Sequence, residues 1–567
     1  MKKLFICSLS FLHFLVFAIG IYAFEPTNPS EKALYDARLI PAPQTTKFGS
    51  GVVVFNECLS CTLVAPADVL NTAEQQNLVA ETQTTFQEYF NAAVQVSMST
   101  PSEVVENLQQ DLDGDSDKAE FAEGISDVNF YAKRGASYIL ALPDSSMEEN
   151  LSPEETTAKQ NVLRGSLFIA GSDLEGFRNA FKTLRQLSET FADSESTQTS
   201  RFFVPESYIE DAPALSFRGL HLCWFPETNP TKIEQSIRIA SYYKFNYIVL
   251  EFWGTFPFES NNMLTWSEFH TSKSEVRRLV QFGKKLGVQL IPQINLFGHA
   301  SGSRVSVGKH VTLDFYPEYE PLFEPDGWTW NIYNPTTKRI LTECVLELYE
   351  VFDSPEFFHI GCDEAYSAGS SFLARRKGAY ADVLAEWLIY FHDLLRERNC
   401  RMAMWHDMLI EPDNYQGYVT GGNAKTRGLV DKLPKDILIC DWQYGKPKED
   451  EAWPTTSYFQ SKGYDVISCP WRNLEGIKSL AQSAIQKNGF GILCTTWHMF
   501  YGADMRNILT TGAHSAWGTT YRGTSFNILE SFNRHLRQAS QGVKNKSYRT
   551  NGVNDWQVEK DPTGPLG

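Results

Sequence analysis

The sequence lacks an excess of basic residues. It has 51 Lys and Arg against 68 Asp and Glu, which gives a formal net charge of −17 at pH 7. Because nucleic acids and anionic membranes attract basic surfaces, this balance argues against both as partners. Long apolar runs are also missing beyond the N-terminal segment, so no membrane span is expected in the mature chain. We therefore expect neither a nucleic-acid-binding protein nor a membrane-spanning one.

Cysteine is present, but its spacing is not that of a metal site. Ten Cys include Cys7 near the N-terminus, so nine remain and at least one of them is unpaired. Cys58 and Cys61 form a C-x-x-C without a second pair at zinc-finger spacing, which predicts a loop disulfide or two free thiols. Five others lie in apolar runs, where Cys usually acts as a small core residue. They are Cys223, Cys362, Cys440, Cys469 and Cys494. We assign no metal site and no cofactor.

The first 23 residues, MKKLFICSLSFLHFLVFAIGIYA, are typical of a bacterial secretory signal peptide. Lys2 and Lys3 precede an apolar run, and small residues around Gly20 and Ala23 offer cleavage sites. We expect an exported protein, either periplasmic or extracellular. An uncleaved N-terminal anchor is the alternative, because the run approaches the ~20 residues that span a bilayer.

Residues 24–210 predict a small α/β domain. Short β-prone runs at 51–55, 136–143 and 165–171 alternate with helical patterns such as LEGFRNAFKTLRQLSETF. The acidic stretch 111–120 invites a calcium interpretation. However, an EF-hand loop beginning there needs Gly at its sixth position and Glu at its twelfth, where this chain has Ser116 and Ala122. We interpret the stretch as a solvated loop.

Residues 211–545 predict a (β/α)8 TIM barrel. Eight apolar, β-prone runs alternate with amphipathic helical patterns, which is typical of a parallel sheet buried on both faces. The runs are 217–225, 245–253, 288–295, 357–365, 401–407, 437–444, 465–471 and 491–497. An open doubly wound sheet is the alternative, but the Gly-rich phosphate-binding motif that such sheets often carry is missing after the first run. Residues 546–567 are polar and predict a loosely ordered tail.

Functional groups collect at the carboxyl ends of these runs, which form the active-site face of such a barrel. Aromatic faces stack on sugar rings and carboxylates perform acid–base chemistry, so the combination predicts a sugar pocket. The acids and polar side chains are Glu251, Asn295, His299, Asp363, Glu364, His406 and Asp407. The aromatic side chains are Trp224, Trp253, Trp405, Trp442, Tyr444, Trp471 and Trp497.

Asp363 and Glu364 end the fourth run, FFHIGCDEA. Adjacent strand residues point to opposite faces, so this pair is not expected to flank one glycosidic bond as acid and nucleophile. Either Glu251, Asp407 or Asp441 supplies the second carboxylate, or the substrate supplies the nucleophile. In the second case the acetamide oxygen of a 2-acetamido sugar attacks C1. One carboxylate then protonates the leaving oxygen while its neighbour orients the acetamide N–H.

The segment HIGCDEA resembles the H-x-G-G-D-E signature of family 20 glycoside hydrolases, the β-N-acetylhexosaminidases, with Cys362 in place of the second Gly. FRG at 217–219 is similar to the first-strand motif of the family, and PQINLFGHA at 292–300 resembles its third-strand segment. GSLFIAGSDLEGFRNAFKTLRQL resembles the α/β domain that commonly precedes the barrel. The resemblance implies an exo-acting, retaining enzyme that hydrolyses terminal β-linked N-acetylglucosamine or N-acetylgalactosamine by substrate-assisted catalysis.

The resemblance also implies roles for individual residues. Asp363 orients the acetamide, and Glu364 is the general acid and then the base, with a pKa that Asp363 and the tryptophan walls should raise. Tyr444 hydrogen-bonds the acetamide oxygen. Arg218 holds sugar hydroxyls, and His299 supports the acid.

The remaining predicted substrate-binding residues line the pocket. Trp497 is expected at the floor of the −1 site. The family carries a His and an Asp on its second strand, and the corresponding segment of this chain, LEFWGTFPFE, lacks both. Glu251 is expected to take over part of their role. The full set is Glu251, Trp405, Asp407, Trp442, Trp471 and Trp497.

Other specificities stay open. No acidic residue follows Trp497, where the chain has His498 and Met499. A cluster of charge at Arg304, Lys309 and His310 is either ordinary loop charge or serves an acidic or sulfated sugar. A disaccharide-releasing enzyme, an enzyme for sulfated N-acetylglucosamine and a non-catalytic sugar-binding protein are the alternatives. The expected partners are N-acetylated amino-sugar glycans or glycoconjugates, and the oligomeric state is left open.

Overall fold

The computed structural model describes most of the chain in ten ranges. These are residues 29–109, 116–143, 165–192, 200–226, 228–265, 270–300, 311–377, 379–445, 453–497 and 502–540. The predicted signal peptide, residues 111–115 of the acidic stretch and the predicted tail lie outside these ranges, as do Arg304, Lys309, His310, His498 and Met499. The chain divides into two units, of which one contains Pro43–Asp211 and the other Ala212 onward.

The first unit is built on a mixed seven-stranded sheet with the order β1-β7-β4-β5-β2-β3, in which β6 also pairs with β7. The strands are β1 (Thr45–Val54), β2 (Leu59–Val64), β3 (Gln95–Ser99), β4 (Ser137–Pro143), β5 (Gly165–Gly171), β6 (Glu189–Ala192) and β7 (Ser200–Asp211). The helices are α1 (Pro29–Arg38), α2 (Thr72–Phe90), α3 (Pro101–Gln109), α4 (Ser116–Ser126), α5 (Val128–Tyr131) and α6 (Leu174–Leu187). Apolar side chains of α2 and α6, such as Phe86 and Phe177, pack with the strands into one core.

The second unit is a closed barrel of eight strands, all paired in parallel. The strands are β8 (Phe217–Trp224), β9 (Tyr247–Phe252), β10 (Gln289–Gln293), β11 (Phe357–His359), β12 (Arg401–Trp405), β13 (Leu438–Trp442), β14 (Val466–Cys469) and β15 (Gly491–Thr495). Each lies within one of the eight predicted runs, so the predicted (β/α)8 barrel and its preceding α/β domain are confirmed.

Helices surround the barrel and follow the expected alternation. They are α7 (Pro230–Tyr242), α8 (Lys273–Lys285), α9 (Val311–Phe315), α10 (Pro335–Val351), α11 (Phe372–Lys377), α12 (Tyr380–Arg396), α13 (Leu429–Lys432), α14 (Pro454–Ser461), α15 (Leu474–Gln486), α16 (Gly502–Trp517) and α17 (Ser525–Ala539). Short 3-10 turns lie at Asn262–Leu264, Pro317–Leu322, Asp407–Leu409 and Pro412–Asn414. Side-chain caps from Asn229, Ser272, Asn334 and Asn473 begin α7, α8, α10 and α15, because they satisfy backbone N–H groups of the first turn.

The barrel strands are buried on both faces, as their near-continuous apolar sequences require. One apolar cluster, which includes Phe217, Ile291 and Leu438, fills the barrel interior. A larger cluster, which includes Ile248 and Leu348, lies between the strands and the helices. These two layers hold the eight strand ends at fixed positions, and the loops that follow them carry the functional groups.

Two further features bear on the sequence predictions. All nine cysteines of the described ranges, including Cys58 and Cys61, are free thiols. Among the helices of the described residues, none combines the length and the apolar composition that crossing a membrane requires.

Candidate active site

Asp363 and Glu364 lie on a loop that begins directly after β11, rather than on the strand itself. Strand β11 ends at His359, and Gly361, Cys362 and Glu364 adopt left-handed backbone conformations, with φ of 63°, 76° and 50°. Strand alternation therefore does not apply to the pair. The expectation that the two side chains point apart is wrong, because the loop turns both carboxylates toward the same partner.

That partner is His299, from the loop after β10. Its Nε2 lies 3.3 Å from Oδ2 of Asp363 and 3.2 Å from Oε2 of Glu364. The preceding residue, Gly298, makes this approach achievable, since a Cβ there would lie 1.8 Å from the backbone oxygen of Asp363. One imidazole thus bridges both acids of the pair.

Charge couples these three groups. Burial by itself lowers the pKa of His299, but the carboxylates of Asp363 and Glu364 outweigh it and raise that pKa to about 10. Burial also raises the pKa of Glu364, yet the hydrogen bond and charge of His299 reverse this and leave the pKa below its ordinary value. The raised pKa expected for Glu364 is therefore wrong for the free protein. The expectation counted the neighbouring acid and the tryptophan walls but not an imidazolium in contact.

A third carboxylate, Asp407, lies beside the pair. It begins the 3-10 turn that follows β12 and is 2% exposed. Its Oδ2 accepts a hydrogen bond from the backbone N–H of Glu364 at 2.9 Å, and its Oδ1 accepts one from Nε1 of Trp442 at 3.3 Å. Burial, followed by the charges of Asp363 and Glu364, raises the pKa of Asp407 to about 8. Asp407 thus holds the Glu364 backbone, and its surroundings favour its protonated form.

Aromatic side chains form a continuous wall from β12 to β15. The phenolic oxygen of Tyr444 accepts a hydrogen bond from Nε1 of Trp497 at 2.6 Å. The Tyr444 ring lies 5.2 Å from that of Trp442 and 5.3 Å from that of Trp471. Trp405 is fully buried, with its ring 5.5 Å from that of Trp497. These five predicted residues are therefore brought together, with Trp405 beneath the wall rather than on its surface.

Glu251 lies at the end of β9 and is 2% exposed. Its Oε1 accepts a hydrogen bond from Asn295 at 2.8 Å, and its Oε2 lies 3.2 Å from Nε2 of His221. The charge of His299 also acts on Glu251, and together these partners lower its pKa against the opposing effect of burial. Glu251 is thus connected to the candidate site through buried polar contacts.

Arg218 is the one predicted site residue that the structure places elsewhere. It is the second residue of β8, at the amino end of the barrel, and is 1% exposed. Its guanidinium donates hydrogen bonds to the backbone oxygens of Lys244, Leu215 and Ser216. This position contradicts the interpretation that Arg218 holds sugar hydroxyls, because the other predicted pocket residues lie toward the carboxyl ends of the strands.

Two residues at the pair escaped the sequence analysis. Nε1 of Trp328 donates a hydrogen bond to the backbone oxygen of Glu364 at 2.5 Å, and its ring lies 4.7 Å from that of His299. Tyr366 stacks on Trp328 with ring centroids 6.4 Å apart and is 66% exposed. Trp328 lies in a long irregular segment without periodicity, so no sequence pattern identifies it. Tyr366 could have been found, because it follows the acidic pair by two residues.

Comparisons with known proteins agree with this geometry. The family model described as "Glycosyl hydrolase family 20, catalytic domain" matches residues 166–510. The chain is 24% identical over 277 residues to "Lacto-N-biosidase" of Bifidobacterium bifidum, which covers 45% of this chain and 22% of that protein. It is 21% identical over 214 residues to "Beta-hexosaminidase" of Emericella nidulans, covering 35% of this chain and 32% of that protein. The matches thus span about a fifth to a third of these two relatives.

Solved structures share the fold. A GH20 exo-β-N-acetylglucosaminidase from Vibrio harveyi, in complex with N-acetylglucosamine, superposes with a TM-score of 0.57 at 16% identity. The superposition covers 90% of this chain and 78% of that one. At this identity the likeness concerns the fold alone.

Proposed function

Because the chain belongs to glycosyl hydrolase family 20, we propose that it is an exo-acting, retaining β-N-acetylhexosaminidase that works by substrate-assisted catalysis. The observation that carries the proposal is the convergence of Asp363 and Glu364 on His299. Two neighbouring acids with different surroundings suit a reaction in which one carboxylate orients the acetamide and the other transfers protons. The proposed substrates are terminal β-linked N-acetylglucosamine and N-acetylgalactosamine on glycans or glycoconjugates.

Asp363 is proposed to orient the acetamide. Its Oδ2 faces His299, whereas its buried Oδ1 has no hydrogen-bond partner within the described part of the chain. A buried carboxylate oxygen without a partner costs free energy, which a substrate N–H can offset. The acetamide N–H donates to this oxygen, and the carboxylate then stabilises the positive charge that develops on the oxazoline ring.

Glu364 is proposed to transfer the protons. Its side chain is 32% exposed, in contrast to the buried Asp363, so it can reach a leaving group at the pocket mouth. Bound sugar excludes water from Glu364, which favours its protonated form. As the acetamide oxygen bonds to C1, the glycosidic C1–O bond breaks and Glu364 gives its proton to the leaving oxygen. The resulting carboxylate then takes a proton from the water that opens the oxazoline at C1.

A protein nucleophile would need a second carboxylate about 5 to 5.5 Å from the acid. Apart from Asp363, to which the acetamide role is assigned, Asp407 is the carboxylate in closest contact with Glu364, since it accepts a hydrogen bond from the N–H of Glu364. It is a poor nucleophile, because both of its oxygens already accept hydrogen bonds and its pKa is raised to about 8. This favours the acetamide oxygen as the attacking group.

Tyr444 and the tryptophans are proposed to form the −1 pocket. Burial raises the pKa of Tyr444 well above its ordinary value, so its hydroxyl stays protonated. The hydrogen bond that this oxygen accepts from Trp497 fixes the hydroxyl, which is proposed to donate its proton to the acetamide oxygen. The indole faces of Trp442 and Trp497 are then suited to stack on the sugar ring.

A disaccharide-releasing specificity is the second candidate, favoured by the similarity to a protein named "Lacto-N-biosidase". The two are separated by measuring hydrolysis of aryl β-N-acetylglucosaminide, aryl β-N-acetylgalactosaminide, aryl β-lacto-N-bioside and aryl β-glucoside. We expect cleavage of the acetamido monosaccharides and none of the plain glucoside. Cleavage of the disaccharide substrate alone would select the second candidate.

The mechanism is tested with Asp363→Asn and Glu364→Gln, with Glu234→Gln as control. Glu234 lies on α7, outside the barrel, where it pairs with Arg238 and Arg278. We expect each site variant to lose a factor of about 10² to 10⁴ in kcat, as removal of acid–base groups does, and the control to keep wild-type rates. Equal cleavage of the plain glucoside by wild type would contradict the mechanism, because that sugar has no acetamide.

A further inference from the structure

A cluster of side chains of the kinds that ligate metal ions lies beside the candidate active site. His221, Cys223 and Glu251 are all buried, and one donor atom of each lies within 4.8 Å of the others. Nε2 of His221 is 3.2 Å from Oε2 of Glu251 and 4.0 Å from Sγ of Cys223. The same Sγ lies 3.4 Å from Oε2 of Glu251. From the sequence, Cys223 was expected to be a core residue, because it lies in an apolar run.

Strand geometry explains why three separated residues meet. His221 and Cys223 are two residues apart on β8, so their side chains lie on the same face of the strand. Glu251 on the neighbouring β9 is the direct register partner of Cys223. His221 and Cys223 on β8 and Glu251 on β9 therefore form a triangle, and the pairing of the two strands fixes its shape.

The triangle has the dimensions of one face of a zinc site. Zn–N and Zn–O bonds are about 2.0 to 2.2 Å and Zn–S bonds about 2.3 Å, so tetrahedral ligands lie about 3.3 to 3.8 Å apart. The observed separations are 3.2, 3.4 and 4.0 Å. Movement of one side chain by a few tenths of an ångström would make all three edges fit.

The buried charge of Glu251 supports a cation at this position. The His221 pair is the single ion pair formed by Glu251 among the residues that the structure describes. A divalent cation in direct contact compensates a buried carboxylate more fully than a single imidazole does. Asn295 holds the second carboxylate oxygen at 2.8 Å, which orients Oε2 toward the cluster.

We propose that His221, Cys223 and Glu251 form a binding site for a zinc-like transition-metal ion. Imidazole and thiolate select zinc, cobalt or related ions over magnesium and calcium, which prefer oxygen ligands. Three protein ligands leave a fourth position open. The rings of Trp405 and Trp497 lie 5.5 and 4.8 Å from that of His221, so the ion would sit beneath the tryptophan wall of the pocket.

The surroundings of His221 predict how tightly the ion binds. With Nε2 on the metal, the ring proton must be on Nδ1, which has no hydrogen-bond partner among the described residues. Metal-bound histidines usually donate that proton to an acceptor, and loss of the acceptor weakens affinity about 10- to 100-fold. The site should therefore release its ion to a strong chelator without unfolding of the protein.

The test uses metal binding rather than activity, so its outcome does not depend on the proposed hydrolase function. The full-length protein is stripped with a chelator, checked by circular dichroism for retained fold, and titrated with Co²⁺. Thiolate ligation gives a sulfur-to-cobalt charge-transfer band in the near ultraviolet. Competition with Zn²⁺ and elemental analysis of the reloaded protein give the stoichiometry.

Cys223→Ser and Glu251→Gln are compared with Cys494→Ser, which removes another buried strand thiol outside the cluster. We expect one ion per chain in wild type and in the Cys494 variant. We also expect Cys223→Ser to lose the charge-transfer band and Glu251→Gln to bind Zn²⁺ at least tenfold more weakly. If folded wild type shows no cobalt band and binds no stoichiometric Zn²⁺, the cluster is a hydrogen-bonded trio and the proposal is overturned. Retention of the band in Cys223→Ser would overturn it as well.

Discussion

Replacement of His299 by Gln removes the one cation that bridges Asp363 and Glu364. The pKa of His299 stands at about 10, against 6.5 for an ordinary histidine. Each unit of pKa corresponds to about 1.36 kcal/mol, so the imidazolium contributes about 4 to 5 kcal/mol to folding at neutral pH. This agrees with the loss of about 3 to 5 kcal/mol that follows removal of one partner from a buried ion pair. His299→Gln should therefore be strongly destabilised at pH 7.

The pH dependence distinguishes this electrostatic effect from loss of packing. Since the folded-state pKa of His299 lies above the unfolded value, the stabilisation is fully present below about pH 6.5. It is lost as the pH rises through about 10. We expect the difference in unfolding free energy between wild type and His299→Gln to be largest near pH 6.5 and to shrink steadily toward pH 10.

The assay is urea unfolding at a series of pH values between 6 and 10, followed by tryptophan fluorescence. His392→Gln serves as a control, because this buried histidine on α12 pairs with Asp393 and Asp436, which are about half exposed. Ion pairs with exposed partners contribute at most about 1 kcal/mol. A pH-independent deficit in His299→Gln would refute the reasoning, because it would mean that the imidazole acts by shape rather than charge.

Three further substitutions test neighbouring parts of the site. The unfolding free energy of Asp407→Asn relative to wild type should rise by about 2 to 4 kcal/mol as the pH rises from 5 to 8, measured by urea unfolding. The reason is that the pKa of Asp407 is raised to about 8 in the folded protein, so wild type loses stability over that window, whereas the amide of Asn does not titrate. Trp497→Phe removes the hydrogen bond to Tyr444 and should lower kcat/KM for acetamido sugars about 5- to 30-fold, in line with about 1 to 2 kcal/mol; unchanged kinetics would contradict it. Cys362→Gly should change the unfolding free energy by no more than about 1 kcal/mol. Glycine relieves the strain of the left-handed φ of 76°, and this gain offsets both the loss of the side chain and the greater entropy of the unfolded chain. Cys362→Val, as its comparison, should lose stability.

The architecture was predictable because it depends on patterns that repeat. Eight apolar runs separated by amphipathic helices specify a parallel barrel, and small errors at strand ends do not alter that outcome. The location of the acids followed from the fold, since a loop that follows a barrel strand must present Asp363 and Glu364 at the carboxyl face. Tyr444 and the tryptophans were found by the same rule.

Side-chain direction and electrostatics were not predictable in the same way. Arg218 was misplaced because a motif gives the residue but not the end of the strand at which its side chain finds partners. The resemblance placed His299 beside the acid but gave no sign that the imidazole would be charged, so the pKa of Glu364 was wrongly expected to rise. Trp328 reaches the same acid from a segment without any periodic pattern. Contacts of this kind depend on loop conformation, which local sequence does not specify.

Backbone conformation at the candidate site is strained at several residues. His299, Glu364 and Trp497 adopt left-handed φ angles of 52°, 50° and 48°, and none of them is glycine. Such conformations cost about 1 to 3 kcal/mol each and persist only where the surroundings impose them. Two carboxylates contact one imidazole and a third lies beside them, and a buried carboxylate oxygen of Asp363 has no partner among the described residues. Under the proposed function, one of these costs is reduced on substrate binding, because the acetamide N–H gives Asp363 its missing donor. The barrel core therefore stabilises a site that the free chain leaves unfavourable, and the substrate restores part of that free energy when it binds.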